Sequence, residues 1–304
     1  VIVVRGTQGW RETGLPGPVL TIGNFDGVHR GHRTLLDATV ATAAQGGAPS
    51  AALTFDPSPR EVLRPDHGIS RIESPARNLA HLAAVGLDAV VVHPFDRALA
   101  ALDPGAFAAN VLRGDLGVVG LVVGHDFRFG RGRSGTADDL RALGVPVHIV
   151  PPLADTDGVV SSSRIRDLLR GGDVAGAARL LGRSHEIEGV VVEGDKRGRT
   201  LGFPTANVAP DGGLLPPDGV YAVRVDGAGL ARAPGVANLG TRPTFDGAGR
   251  RLEVHVLDAG LELYGRTLVV GFVDRVRAER KFASVDELKV AIQADVAAAR
   301  ELLA

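Results

Sequence analysis

The feature that most constrains this chain is a change of texture near residue 184. Between residues 18 and 150 short, near-continuous apolar runs (19–22, 51–55, 89–93, 118–123 and 145–150) alternate with helical patterns at 35–44, 76–85, 104–112 and 136–143. Runs apolar on both faces, separated by helices, predict an α/β half with a parallel sheet covered on both sides. Asp103 followed by Pro104 is an N-cap with proline in the first helical position. Beyond Gly182-Arg183-Ser184 the alternation stops, and strands at 186–193, 219–225, 232–237, 252–258 and 267–276 follow one another between glycine and proline turns. Serial strands of this spacing predict a small antiparallel barrel, and Ser284 with Glu287 forms a capping box that opens a final helix.

A length of 304 residues suits two such domains, expected at 1–183 and 184–304. A formal net charge of −1 argues against a nucleic-acid footprint or a membrane-seeking surface, and zero cysteines exclude disulfides, thiolate metal sites and a cysteine nucleophile. No apolar run approaches the ~20 residues of a membrane span, and Val1 to Val4 is too short for a signal-peptide core. The expected setting is cytoplasmic and the expected partners are small molecules, with homo-oligomer formation left open.

Residues 23–32 (Gly-Asn-Phe-Asp-Gly-Val-His-Arg-Gly-His) join the first of these runs to the first helical pattern. His29 and His32, three residues apart, are expected near the helix's first turn on one face, beside unpaired backbone N–H groups. An ordinary turn made by Asn24 and Asp26 is the alternative, but three glycines and two histidines at a strand-to-helix junction favour a phosphate site.

Three more segments leave strand ends of the first half. Thr54-Phe55-Asp56-Pro57-Ser58-Pro59 is stiffened by two prolines and can present Phe55 and Asp56 to a ligand. Gly124 to Gly130 carries Asp126, Phe127, Arg128 and Phe129, suited to a flat, partly anionic ligand. Ser161-Ser162-Ser163 opens a helix with Arg164 and Arg166 in its first turns, where a phosphate would offset their conflict with the dipole. Residues 130–135 satisfy G-x-G-x-x-G, yet they sit late in the domain and away from a strand-to-helix turn, so a dinucleotide fingerprint is rejected; no Walker A sequence occurs.

In the second half, glycines at 194, 198 and 202 permit close backbone approach, the intervening cations suit phosphate, and Pro204 fixes the exit into Thr205 and Asn207. Glu253 projects opposite Leu252 and Val254 and is a base candidate if it faces a pocket.

These motifs resemble the bacterial bifunctional riboflavin kinase/FAD synthetases across nearly the whole chain. Residues 23–32, 124–130 and 161–166 are similar to the FMN adenylyltransferase module, a Rossmann-like nucleotidyltransferase with a His-x-x-His signature. Residues 202–207, 235–244, 252–255, 263–265 and 281–284 are similar to the riboflavin kinase module, a six-stranded antiparallel barrel with a terminal helix. The resemblance implies that riboflavin and ATP give FMN, and that FMN attacks the α-phosphate of ATP to give FAD and pyrophosphate. It implies ATP binding in the first half by Gly23, Phe25, Asp26, Gly27, His29, His32, Ser162, Ser163 and Arg166, with the histidines stabilising developing charge. The flavin would meet Phe55, Asp56, Asp126, Phe127, Arg128 and Phe129. In the kinase half the resemblance implies ATP binding by Gly194, Gly198, Arg199, Gly202, Thr205 and Asn207, Mg²⁺ held at Thr205 and Asn207, Glu253 as base, and Arg277 near the flavin. One departure concerns Val159, which stands where members commonly carry an arginine, while Ser163 replaces a threonine; Arg164 is the candidate compensation. Two rival readings follow: a riboflavin kinase with an impaired adenylyltransferase half, or a flavin-binding carrier or regulator without turnover.

Overall fold

The computed structural model describes residues 1–67, 70–193, 202–244, 247–258 and 262–304. It divides into two compact units, one of Val1–Ser70 with Asn78–Ser161, the other of Arg71–Arg77 with Ser162–Ala304.

The first unit is built on six strands: β1 (Ile2–Arg5), β2 (Val19–Ile22), β3 (Ser50–Phe55), β4 (Ala89–His93), β5 (Gly120–Gly124) and β6 (Val147–Val150). They lie in the order β1-β4-β3-β2-β5-β6, and every pairing is parallel. Between them run α1 (Arg30–Gly46), α2 (Pro59–Leu63), α3 (Pro75–Ala83), α4 (Arg97–Ala101), α5 (Pro104–Phe107) and α6 (Ala137–Arg141). The predicted helix over 104–112 begins as expected, with the Asp103 carboxylate accepting from Ala106 N–H at 2.8 Å, but widens into π-helical winding over Ala108–Asp115. Leu20, Ile22, Leu53, Val91 and Val123 pack into one apolar layer, while Ala52, Val90 and Val92 join Leu36 of α1 on the other face. Both faces are therefore covered, which is why the runs read as continuous rather than alternating. β1 was not foreseen: its four residues form an edge strand, and only Val4 among them is buried. A two-residue hairpin, β7 (Ala154–Asp155) with β8 (Gly158–Val159), follows the sheet.

From β2 the chain proceeds to β3 and then β4 on one side, and later places β5 and β6 on the other. The carboxyl end of β2 is thus a topological switch point, where crevices open in such sheets. Residues 23–32 leave the sheet there.

The second unit opens with α7 (Ser162–Gly171) and α8 (Val174–Leu181), followed by β9 (His185–Val192), β10 (Ala206–Pro210), β11 (Gly219–Gly227), β12 (Leu230–Thr244), β13 (Gly247–Val256), β14 (Thr267–Ala278) and α9 (Val285–Leu303). The six strands close into an antiparallel barrel in the order β10-β13-β12-β11-β14-β9. Alternation along β11 sends Val220 and Ala222 outward under Ala299 and Leu303 of α9, whereas Tyr221 and Val223 turn to the interior, where Tyr221 meets Phe272 edge-on at 5.3 Å. At α9 half of the expected capping box forms: Ser284 Oγ accepts from Glu287 N–H at 3.2 Å, while the Glu287 carboxylate accepts from Ala283 N–H, one residue before the cap, at 2.9 Å.

Residues 71–77 are bound into this unit by charge. Glu73, 0% exposed, receives Arg183 Nη2 at 2.7 and 2.8 Å on its two oxygens, Leu214 N–H donates to Ile72 O at 3.2 Å, and Arg77 pairs with Glu186. The functional division expected at residue 183 and the packing division between Ser161 and Ser162 are therefore distinct features of the chain.

Candidate active sites

In the first unit the turn after β2 is held by its own backbone. Gly23 N–H donates to Leu53 O at 3.0 Å, Gly27 N–H donates to Asn78 Oδ1 at 2.8 Å, and Thr54 Oγ1 donates to Asn24 O at 3.3 Å. Phe25 and Val28 both take positive φ (47° and 38°) although neither is glycine, and both side chains are buried, so packing holds a backbone that their side chains disfavour.

The two histidines stand near the first turn of α1 and on one face, as expected, but take different places there. His29 is the N-cap of α1: its Nδ1 accepts from His32 N–H at 3.2 Å. Accepting at Nδ1 puts the proton of the neutral ring on Nε2, the donor that an anion requires. His29 is only 4% exposed; its ring stacks on His32 with centroids 3.6 Å apart, and Phe25 meets His32 edge-on at 5.4 Å. Gly31 is required by space rather than by φ, since a Cβ there would lie 3.1 Å from Val160 O and 3.2 Å from the His29 ring. The backbone of residue 160 therefore runs beside the helix start. Val159, next to it in β8, is 49% exposed.

Beyond the same strand ends lies a cavity of about 710 Å³, within the range of small-molecule sites. Gly23, Phe55, Asp126, Phe127, Arg128 and Phe129, all expected site residues, line it; Phe25, Asp26, Gly27 and Asp56 do not. Phe127 and Phe129 run nearly parallel with centroids 5.7 Å apart, and Phe55 meets Phe95 edge-on at 5.6 Å. Phe129 and Gly135 exchange two backbone hydrogen bonds, and a Cβ on Gly135 would come within 2.8 Å of the Phe129 ring. The rejected G-x-G-x-x-G stretch thus serves to seat this aromatic. The sequence reading missed Phe95, Phe107, Arg60, Arg64 and Arg133 among the lining residues. The available signal was the Ser58-to-Glu61 capping box, which starts a helix immediately after β3 and carries Arg60 to the strand ends.

Ser162 and Ser163 begin α7, in the second unit, where Arg166 is buried (8% exposed) on the same side as Ile165 and Leu169.

The second site rests on barrel register. Thr205 and Asn207, two residues apart, share a face opposite the buried Ala206 and Val208. On that face Asn207 of β10 stands directly opposite Glu253 of β13, and Glu253 in turn opposite Asn238 of β12. His255 Nδ1–H donates to Pro204 O at 2.7 Å and meets Phe203 edge-on at 5.8 Å, which fixes the approach to Thr205. Gly202 lies in a turn with φ 88°. Gly194, Gly198 and Arg199 lie outside the described residues. Arg277 is engaged elsewhere: Nε and Nη2 grip both oxygens of Asp295 at 2.7 and 2.8 Å, and Nη1 donates to Ala278 O at 3.0 Å. This guanidinium anchors α9 to β14, and flavin contact is not assigned to it.

Among the described residues, no group of three or more His, Cys, Asp or Glu could hold a metal. Thr205 and Asn207 offer hard oxygen donors without a carboxylate cage, which suits a cation that keeps waters and completes its shell with phosphate oxygens. The same described residues contain no helix long and apolar enough to cross a membrane.

Comparison with known proteins finds two family matches along the chain. Residues 12–164 match the FAD synthetase family and residues 181–303 the riboflavin kinase family. Proteins described as bifunctional riboflavin kinase/FMN adenylyltransferase are similar over nearly their whole length. The one from Escherichia coli (strain K12) is 43% identical over 98% of this chain and 97% of its own. That from Pseudomonas fluorescens is 45% identical over 99% and 98%, and that from Bacillus subtilis (strain 168) is 36% identical over 91% and 90%. Among solved structures, one titled a macrolide-efflux protein from Streptococcus pneumoniae superposes with a TM-score of 0.90, at 34% identity over 99% of both chains.

Proposed function

We propose a division of labour between two sites, on the premise that the chain belongs to the family of bifunctional riboflavin kinase/FMN adenylyltransferases. The chain phosphorylates riboflavin to FMN with ATP, and adenylylates FMN to FAD with release of pyrophosphate. The chemistry of the two nucleophiles allots the residues. A ribityl hydroxyl has a pKa far above neutral and needs a base, whereas FMN phosphate is already an anion.

Phosphorylation belongs to residues 184–304. Glu253 takes the hydroxyl proton as the oxygen attacks the γ-phosphate of ATP, the bond to the β-phosphate oxygen breaks, and ADP leaves. Thr205 and Asn207 hold the phosphates and Mg²⁺, which when bound neutralises charge on the transferring group. Adenylyl transfer belongs to residues 1–183. An oxygen of FMN phosphate attacks the α-phosphate of ATP, and pyrophosphate departs with the electrons of the broken bond. His29 and His32 donate to the charge that develops, the backbone of Gly23 to Gly27 cradles the triphosphate, and Phe55, Phe127, Arg128 and Phe129 receive the flavin.

The observation that carries this reading is the register pair Asn207–Glu253, which joins an amide donor and a carboxylate on one barrel face. Neither the carrier reading nor an impaired adenylyltransferase half is favoured, because both families match and the relatives span the whole chain. The test is chromatography after incubation with riboflavin, ATP and Mg²⁺. FMN followed by FAD is expected. FMN without FAD would remove the adenylyl assignment, and no product would leave only binding.

A further inference from the structure

The cavity of the first unit carries more charge than a flavin ring accounts for. Its aromatic wall suits the neutral isoalloxazine, yet Arg60, Arg64, Arg128 and Arg133 also line it against a single carboxylate, Asp126. Four cations less one anion leave a formal excess of three positive charges around a space of about 710 Å³. Asp126 lies 3.8 Å from His125, and Asp139, whose pKa is lowered chiefly by hydrogen bonds from Thr136, also feels the Arg128 charge. The side chains of Arg60, Arg64 and Arg133 make no ion pair or hydrogen bond among the described residues. Like charges gathered without counter-ions repel, and guanidinium groups match phosphate oxygens in geometry as well as charge.

Two of these arginines are placed by a rigid local device. Pro59 occupies the first turn of α2, and Glu61 Oε2 accepts from Ser58 N–H at 2.7 Å to close its capping box. Arg60 and Arg64, four positions apart, therefore project on one side of this short helix and its C-cap, toward the cavity.

Taking the cavity as the flavin site of adenylyl transfer, on which this inference rests, we propose that Arg60, Arg64 and Arg133 form a cationic rim that selects phosphorylated flavin over riboflavin. Both flavins share the aromatic wall, but only FMN brings a phosphate monoester with close to two negative charges at neutral pH. An enzyme that works in the presence of both needs this discrimination. Riboflavin has no phosphate to adenylylate, so it would occupy the cavity unproductively.

The test uses the full chain and measures two constants in one assay: KM for FMN in FAD formation, and Ki for riboflavin as competitor of FMN. In an Arg60→Ala/Arg64→Ala variant, KM for FMN should rise about tenfold or more through loss of charge-assisted hydrogen bonds. The Ki of riboflavin should stay within about twofold, and Arg133→Ala should act in the same direction more weakly, because it removes one charge rather than two. Lysine at both positions 60 and 64 should recover part of the lost affinity. Unchanged KM overturns the proposal, and so does an equal rise of KM and Ki, which would mean that the arginines hold the ring or the fold. Phe127→Ala tests the underlying site separately: it should weaken both flavins, and if it alters neither constant, the cavity is not the flavin site.

Discussion

The two sites are made in opposite ways. The histidine site is local: ten consecutive residues leave a strand, cap a helix and stack two imidazoles. The barrel site is assembled from distance, since Asn207, Asn238 and Glu253 become neighbours only through antiparallel register. On the proposed division of labour the first site acts on a nucleophile that arrives charged and can use rigid backbone, whereas the second has to hold a carboxylate beside phosphate ligands, which adjacent strands on one face provide.

The comparison breaks most visibly at Glu253. Glu253→Gln should lower FMN formation from riboflavin by about 10²–10⁴-fold, the ordinary span of general-base catalysis, while added FMN still becomes FAD. Retained FMN formation would remove Glu253 as the base. Next in size is the ion pair that ties residues 71–77 to the second unit. Arg183→Ala removes the guanidinium that pairs with the buried Glu73 carboxyl, and should destabilise that unit by about 3–5 kcal/mol in denaturant titration. Arg183→Met with Glu73→Leu should recover much of the loss, because the apolar pair leaves no buried charge; an Arg183→Ala variant as stable as the parent would contradict the role given to the pair.

The smallest effect concerns pH. His185 is fully buried, its Nε2–H donates to Leu214 O at 2.8 Å, and burial lowers its pKa below the ordinary 6.5. Below pH 6.5 the unfolded ring takes up a proton that the folded one resists, so the unfolded state binds more protons and stability falls as pH falls. The contribution is complete above that value and is lost as pH drops below it. Melting at pH 7.5 and about pH 5 should show this acid sensitivity, and His185→Gln should reduce it. An unchanged slope would assign the sensitivity elsewhere.

What the sequence made legible follows the same contrast. Residues 23–32 were readable as a strand-to-helix turn because their signals are contiguous, although His29 as the cap itself was hidden, histidine being an unusual cap. In the barrel, residue types were readable but neighbours were not. β12 was expected over 232–237 and extends over Leu230–Thr244, because Gly240 and Pro243 act as turn signals in a sequence yet pair with Arg251 and Ala248 in the ladder. Arg277 shows the limit from the other side: the resemblance placed it near the flavin, and nothing in the sequence showed that its guanidinium is bound by Asp295 of α9, 18 positions away. The arginines around the aromatic cavity escaped for the same reason, since Arg60 and Arg133 meet only where strand ends converge.

The central claim, that two independent sites perform two reactions on one chain, is tested most directly by mixing two defective proteins. Glu253→Gln lacks the base, and His29→Asn keeps an acceptor for the cap of α1 while losing the imidazole donor. Neither alone should make FAD from riboflavin, ATP and Mg²⁺. Combined in one vessel they should make it, because FMN released by the His29→Asn protein feeds the intact adenylyl site of the Glu253→Gln protein. A mixture that yields no FAD, although each variant retains its own half-reaction, would contradict that independence.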